Sequence, residues 1–119
     1  MNDFSIGFIG LGLIGGSIAK SIRRIFPDYK IIGFDNNIET LKIATADGTL
    51  TEYTDDLQTI AGCNYIFLCA PVHYNIEYLK RLKPYLAEST ILTDVGSVKL
   101  DIYEAVQELG LSKYFVGGH

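Results

Sequence analysis

Three glycines, in the run Gly10-Leu11-Gly12-Leu13-Ile14-Gly15, stand between an apolar segment and a stretch of helical periodicity. Each has a task in that setting. Gly10 allows a tight turn at the end of a strand, Gly12 lacks the Cβ that would hold a pyrophosphate off the backbone, and Gly15 lets the next helix press on a sheet. The unpaired N–H groups at the start of that helix, around Leu13 and Ile14, then face phosphate oxygens. Asp35, twenty residues beyond Gly15, ends the next apolar run, where a carboxylate can accept hydrogen bonds from an adenosine ribose. The same carboxylate repels a 2′-phosphate, and Asn36 and Asn37 supply no cation to hold one, so the pattern favours NAD over NADP. The alternative is that Asp35 only caps the helix beginning near Ile38. A glycine run is a weak signal by itself, and the strand, helix and acid around it give it weight.

Two other glycine-loop classes can be compared. A protein-kinase loop runs into a strand bearing a Val-Ala-Ile-Lys-like segment, whereas this one opens a helix. An adenosine site of the methyltransferase type shares the strand, the loop and the acid, and cofactor binding alone separates it from a dinucleotide site.

The elements that must position these groups alternate along the chain. Residues 4–9, 30–34, 64–69, 90–94 and 114–116 read as strands rich in Ile, Val, Leu or aromatics, with a weaker strand over 50–53. Ile14, Ile18, Ile22 and Ile25 share one face of a half-buried helix that Pro27 and Asp28 end. The same period runs over residues 74–86 and 98–109, the second closed by Gly110. A shorter helix covers 38–46, entered from Asn36 or Asn37 and closed by Gly48. Strands apolar on both faces and separated by helices imply an α/β fold of one domain over residues 1–119: a Rossmann-type, doubly wound parallel sheet with helices on both faces.

In such a sheet, ligands collect beyond the carboxyl ends of the strands. Three segments qualify. Ala70 and Pro71, leading into Val72 and His73, can let the backbone pass close to the nicotinamide half of a cofactor, or can be a plain strand-to-helix turn. His73 reads more readily as an exposed helix-start residue than as a catalyst. In the second segment, Asp94 can bind a loop N–H or a ligand, Gly96 lets the backbone come near the cofactor, and Ser97 caps a helix or serves the site. The third holds His119 behind two glycines at a strand end, with room for substrate beside a ring that accepts a proton near neutral pH.

Bulk properties narrow the classes. With 119 residues, 48% of them apolar, the chain builds one core of ordinary size. A net charge of −4 and scattered basic residues argue against nucleic acid as a partner. No run approaches the length of a membrane span and no signal peptide opens the chain, so a cytoplasmic protein is expected. Cys63 and Cys69 have no second pair or His cluster with which to hold a metal, and both read as buried thiols in a reducing compartment.

Residues 10–17 (GLGLIGGS), 68–72 (LCAPV), 93–99 (TDVGSVK) and 115–119 (FVGGH) together resemble the prephenate dehydrogenase family over the whole chain. The first motif is widespread among dehydrogenases, while DVGSVK followed by VGGH is much more specific. The resemblance implies oxidative decarboxylation of prephenate to 4-hydroxyphenylpyruvate in tyrosine biosynthesis, with hydride passing to NAD. It implies that His119 assists deprotonation of the ring 4-hydroxyl and that Ser97 orients that hydroxyl or His119. Arogenate dehydrogenases are close relatives that these motifs do not separate. Family members continue past the His into a helical domain that grips substrate and forms the dimer. These residues are therefore expected to be the cofactor half, turning over little prephenate alone and forming a homodimer only with that domain. The rival expectations are a stand-alone NAD-binding or sensing module, and a related hydroxy-acid or imine reductase, which need not carry the DVGSVK and GGH pair.

Overall fold

A computed structural model describes residues 4–95 and 99–116. Its strands are β1 (Ser5–Ile9), β2 (Lys30–Phe34), β3 (Glu52–Tyr53), β4 (Tyr65–Leu68) and β5 (Ile91–Asp94). Between them run α1 (Leu13–Ile25), α2 (Ile38–Ala46), α3 (Leu57–Ala61), α4 (Val72–Leu82) and α5 (Lys99–Glu108). All strand pairs are parallel, in the order β3-β2-β1-β4-β5.

Successive side chains of a strand point to opposite faces, and both faces here are apolar. On β2, Ile31 joins Ile6, Phe8, Leu11, Ala19 and Leu41, whereas Ile32 and Phe34 join Leu57, Ile60, Leu79 and Leu82. The first layer is closed by α1 and α2, and the second by α3, α4 and α5. This is the doubly wound Rossmann arrangement that the βα alternation implies.

Several expectations need correction. The 74–86 helix begins at Val72 and stops at Leu82, continuing as a 3-10 turn over Lys83–Tyr85. Pro84 has no N–H to give the carbonyl four residues back, so the α-helix cannot carry on. The 50–53 strand shrinks to Glu52–Tyr53 because the Thr51 hydroxyl, not a backbone carbonyl, accepts the Ile31 N–H at 3.0 Å. At 114–116 only Phe115 bridges to Leu92. The Tyr114 and Phe115 N–H groups are already spent locally, on Leu111 and Ser112 carbonyls. The α1 stripe is also narrower than expected. Gly15 and Ala19 are its buried residues, while Ile14 and Ile25, 57% and 64% exposed, stand clear at the two ends. The α3 helix was not anticipated, and Asp56 caps it by accepting the Gln58 N–H at 3.0 Å.

Candidate functional site: the crevice between β1 and β4

In this strand order the chain leaves β1 toward β2 and leaves β4 toward β5, so a crevice opens beyond their carboxyl ends. Its lips are the loop after β1 and the turn after β4, and they are tied to the sheet. The Gly10 N–H donates to the Phe34 carbonyl at 2.8 Å and the Cys69 N–H to the Ile9 carbonyl at 2.7 Å. Gly10 has φ +87°, and a Cβ there would lie 2.7 Å from the Ala70 nitrogen. Only glycine satisfies both the turn and the close approach. A Cβ on Gly15 would lie 2.6 Å from the Gly10 carbonyl oxygen, so the first turn of α1 can sit against the loop only without one.

Gly12 differs from both. Its φ of −71° suits any residue, and among the described residues nothing beyond its own chain neighbours lies within 4 Å of where its Cβ would be. Neither the turn nor the packing calls for glycine there. The open space in front of it would let a pyrophosphate reach the backbone N–H groups. Gly12 caps α1 with no side-chain hydrogen bond, and the first turn carries no acidic residue.

Asp35 follows β2 and is held by two backbone donors. Its Oδ2 accepts the Leu11 N–H at 2.6 Å and its Oδ1 the Asn37 N–H at 2.9 Å. A carboxylate has about four lone-pair positions, so capacity for two ribose hydroxyls remains. Helix capping falls to Asn37, whose Oδ1 accepts from Glu39 and Thr40 N–H groups at 3.1 and 3.4 Å.

Between these parts lies a cleft of about 230 Å³ lined by Gly10, Gly12, Asp35, Asn36, Cys69, Ala70, Pro71, Tyr74 and Tyr78. The lining has an apolar wall on one side and a carboxylate on the other, with no Lys or Arg among its described residues. Cys69 is half-buried, not fully buried as read from the sequence, and burial together with the charge of Asp94 pushes its thiol up to about 12. It is therefore a neutral packing group at neutral pH and no nucleophile. Cys63 is buried as expected, and among the described residues no cluster of His, Cys, Asp and Glu is arranged to hold a metal.

Residues 18–119 match the family described as the prephenate dehydrogenase nucleotide-binding domain. The chain belongs to that family. The match begins inside α1, so the glycine loop before it is a separate observation. Prephenate dehydrogenase of Lactococcus lactis subsp. cremoris (strain MG1363) is 34% identical over 114 residues, which cover 93% of this chain and 32% of that relative. The structure of prephenate dehydrogenase from A. aeolicus, in complex with hydroxyphenyl propionate and NAD+, is similar with a TM-score of 0.89 and 34% identity. That similarity covers 100% of this chain and 42% of the other. Synechocystis arogenate dehydrogenase gives a TM-score of 0.85 at 36% identity, covering 98% of this chain and 40% of its own. The chain thus spans about a third of the length of the Lactococcus relative.

For a prephenate dehydrogenase nucleotide-binding domain, the residues expected from sequence fall in several places. Gly10, Gly12, Asp35, Asn36, Ala70 and Pro71 meet in one cleft. Leu13, Ile14 and Gly15 form the first turn of α1 beside it, and Val72 opens α4. Gly96, Ser97 and His119 lie outside the described residues. His73 is exposed and its ring meets Tyr74, with centroids 4.4 Å apart. Tyr74 and Tyr78 were missed as lining residues. Their spacing of four from each other, on a helix that Pro71 begins, was the available signal.

Proposed function

We propose that this chain is the NAD-binding half of a prephenate dehydrogenase. The observation that supports the cofactor most directly is Gly12, a glycine that nothing within the described protein requires. Leu13, Ile14 and Gly15 N–H groups hold the pyrophosphate, and Asp35 takes the adenosine ribose hydroxyls. Asp35, with no cation lining the cleft among the described residues, disfavours a 2′-phosphate and so selects NAD over NADP. Ala70 and Pro71 line the cleft toward the nicotinamide end, to which Val72 and Gly96 are also assigned. Bound there, the nicotinamide ring supplies a hydride acceptor.

His119 accepts the proton of the ring 4-hydroxyl, raising electron density at the carbon that gives up hydride, and Ser97 orients that hydroxyl or the imidazole. Loss of carbon dioxide and aromatisation drive the reaction to 4-hydroxyphenylpyruvate. The remaining length of the relatives supports a further, helical domain that grips prephenate and forms the homodimer. The enzyme is assigned to the cytoplasm, in keeping with the absence of any described helix long and apolar enough to cross a membrane. Arogenate in place of prephenate is the second reading, favoured by the 36% identity to the Synechocystis arogenate dehydrogenase.

Calorimetric titration of the chain with NAD and NADP tests the cofactor assignment. NAD is expected to bind at least about tenfold tighter, and Asp35→Ala to weaken NAD by a similar factor, since each lost charge-assisted hydrogen bond is worth about 1.5–3 kcal/mol. Equal affinity for the two cofactors, or an Asp35→Ala chain that keeps full NAD affinity, would overturn it.

A further inference from the structure

Asn75 is wholly buried in the second turn of α4, on the side of the core that holds Tyr78, Leu79 and Leu82. Its side-chain nitrogen donates to the Ala70 carbonyl at 2.8 Å and lies 3.5 Å from that of Leu68. Its backbone N–H donates to the Pro71 carbonyl at 3.0 Å. One residue thus gathers three carbonyls of the segment that leaves β4. The orientation of the amide follows, because both near neighbours are acceptors and only the NH2 end can face them.

That leaves Oδ1 buried, and it accepts no hydrogen bond among the described residues. An orphaned buried acceptor costs free energy that a leucine in the same place would not. The amide is therefore retained for what its donors hold. What they hold is the lip of the cleft: the Ala70 nitrogen and Cα lie 2.7 and 2.9 Å from the Cβ position of Gly10, so the 69–71 turn and the glycine loop have no slack between them. The Leu68 carbonyl also accepts the Val95 N–H at 3.1 Å, which ties the same corner to the end of β5.

We infer that Asn75 is a positioning residue for nucleotide binding: its amide pins the Ala70 carbonyl and so fixes the turn against the glycine loop at the width the dinucleotide needs. Asn75 touches no cleft space itself and acts through Ala70 and Pro71. The inference rests on the cofactor reading above, and its test separates the two.

The wild-type chain, Asn75→Leu and Asn75→Asp are titrated with NAD and melted without it. Asn75→Leu, which removes both the donors and the orphan, is expected to melt at or above the wild-type temperature yet bind NAD at least tenfold more weakly. Asn75→Asp keeps the shape and can donate to Ala70 only when protonated. Measured against wild type at the same pH, it is expected to bind equally at pH 5.5 and at least tenfold more weakly at pH 8.5. Amide exchange without ligand adds a readout independent of NAD, in which the Cys69 and Val95 N–H groups of Asn75→Leu exchange at least tenfold faster and those of β1 and β2 are unchanged. An Asn75→Leu chain that binds NAD within twofold of wild type, or that shows unaltered Cys69 and Val95 exchange, overturns the role of Asn75. Failure of the wild type itself to bind NAD overturns the cofactor reading, and the exchange experiment then decides on Asn75 alone.

Discussion

Helices α1 and α2 each follow a strand of the same parallel sheet, yet their first turns are completed in opposite ways. Every helix begins with N–H groups that lack an intrahelical partner. At α2 the Asn37 side chain accepts two of them and Glu39 adds a negative charge beside the helix dipole. At α1, Gly12 offers no side chain and the first turn no acid. The start of α2 is finished from within the chain, and the start of α1, which faces the crevice, is left open, as the proposed pyrophosphate site requires. Asp35 stands between them, one oxygen on the Leu11 N–H of the first loop and the other on the Asn37 N–H of the second.

The sharpest way to break this contrast is to finish α1 as α2 is finished. Gly12→Asp supplies a capping carboxylate where, among the described residues, a Cβ meets nothing within 4 Å beyond its chain neighbours. Aspartate is better than glycine at an N-cap by a few tenths of a kcal/mol, so the melting temperature should hold or rise. The same carboxylate occupies the N–H groups and repels phosphate, so NAD affinity should fall more than about 100-fold, near 3 kcal/mol. Calorimetry and a thermal melt on one sample read both numbers, and a variant that gained stability but kept NAD would remove the anion role from α1. Gly10→Ala tests the other kind of glycine. A methyl group 2.7 Å from the Ala70 nitrogen, on a backbone at φ +87°, should lower unfolding free energy in urea by about 2–3 kcal/mol. A loss below about 1 kcal/mol would mean that the turn yields, and that Gly10 is not what sets its distance from Ala70.

What the sequence disclosed follows the same division. The glycine loop and Asp35 were legible because a strand, a tight turn and a helix fix their spacing locally, and local geometry survives in sequence pattern. The bond from Asp35 to the Leu11 N–H was not, since it joins two loops 24 residues apart whose approach only the folded sheet determines. Tyr74 and Tyr78 escaped as wall residues because the expected stripe through Leu79 and Leu82 faces the core, while the cleft takes the adjacent positions of the same helix, a choice only the packing against the sheet decides. The five-residue α3 is too short for periodicity to register, though Asp56 and Gly62 mark its two ends. Ser97 and His119 came from motif resemblance instead of local rules, and their placement lies outside the described residues.

The mildest test acts on α2. Asn37→Ala removes the side-chain oxygen that serves Glu39 and Thr40 but keeps the backbone N–H that donates to Asp35. Loss of such a cap costs about 1 kcal/mol. For a domain of this size that is a drop of roughly 3–6 °C in melting temperature. Asp35 keeps both of its backbone donors, so NAD affinity should stay within about twofold, the mirror image of the Gly12→Asp result. If NAD binding weakened tenfold alongside the melt, the cap of α2 would belong to the nucleotide site as well. The two helix starts would then form one cooperative unit coupled through Asp35, and their division into a structural and a binding terminus would have to be given up.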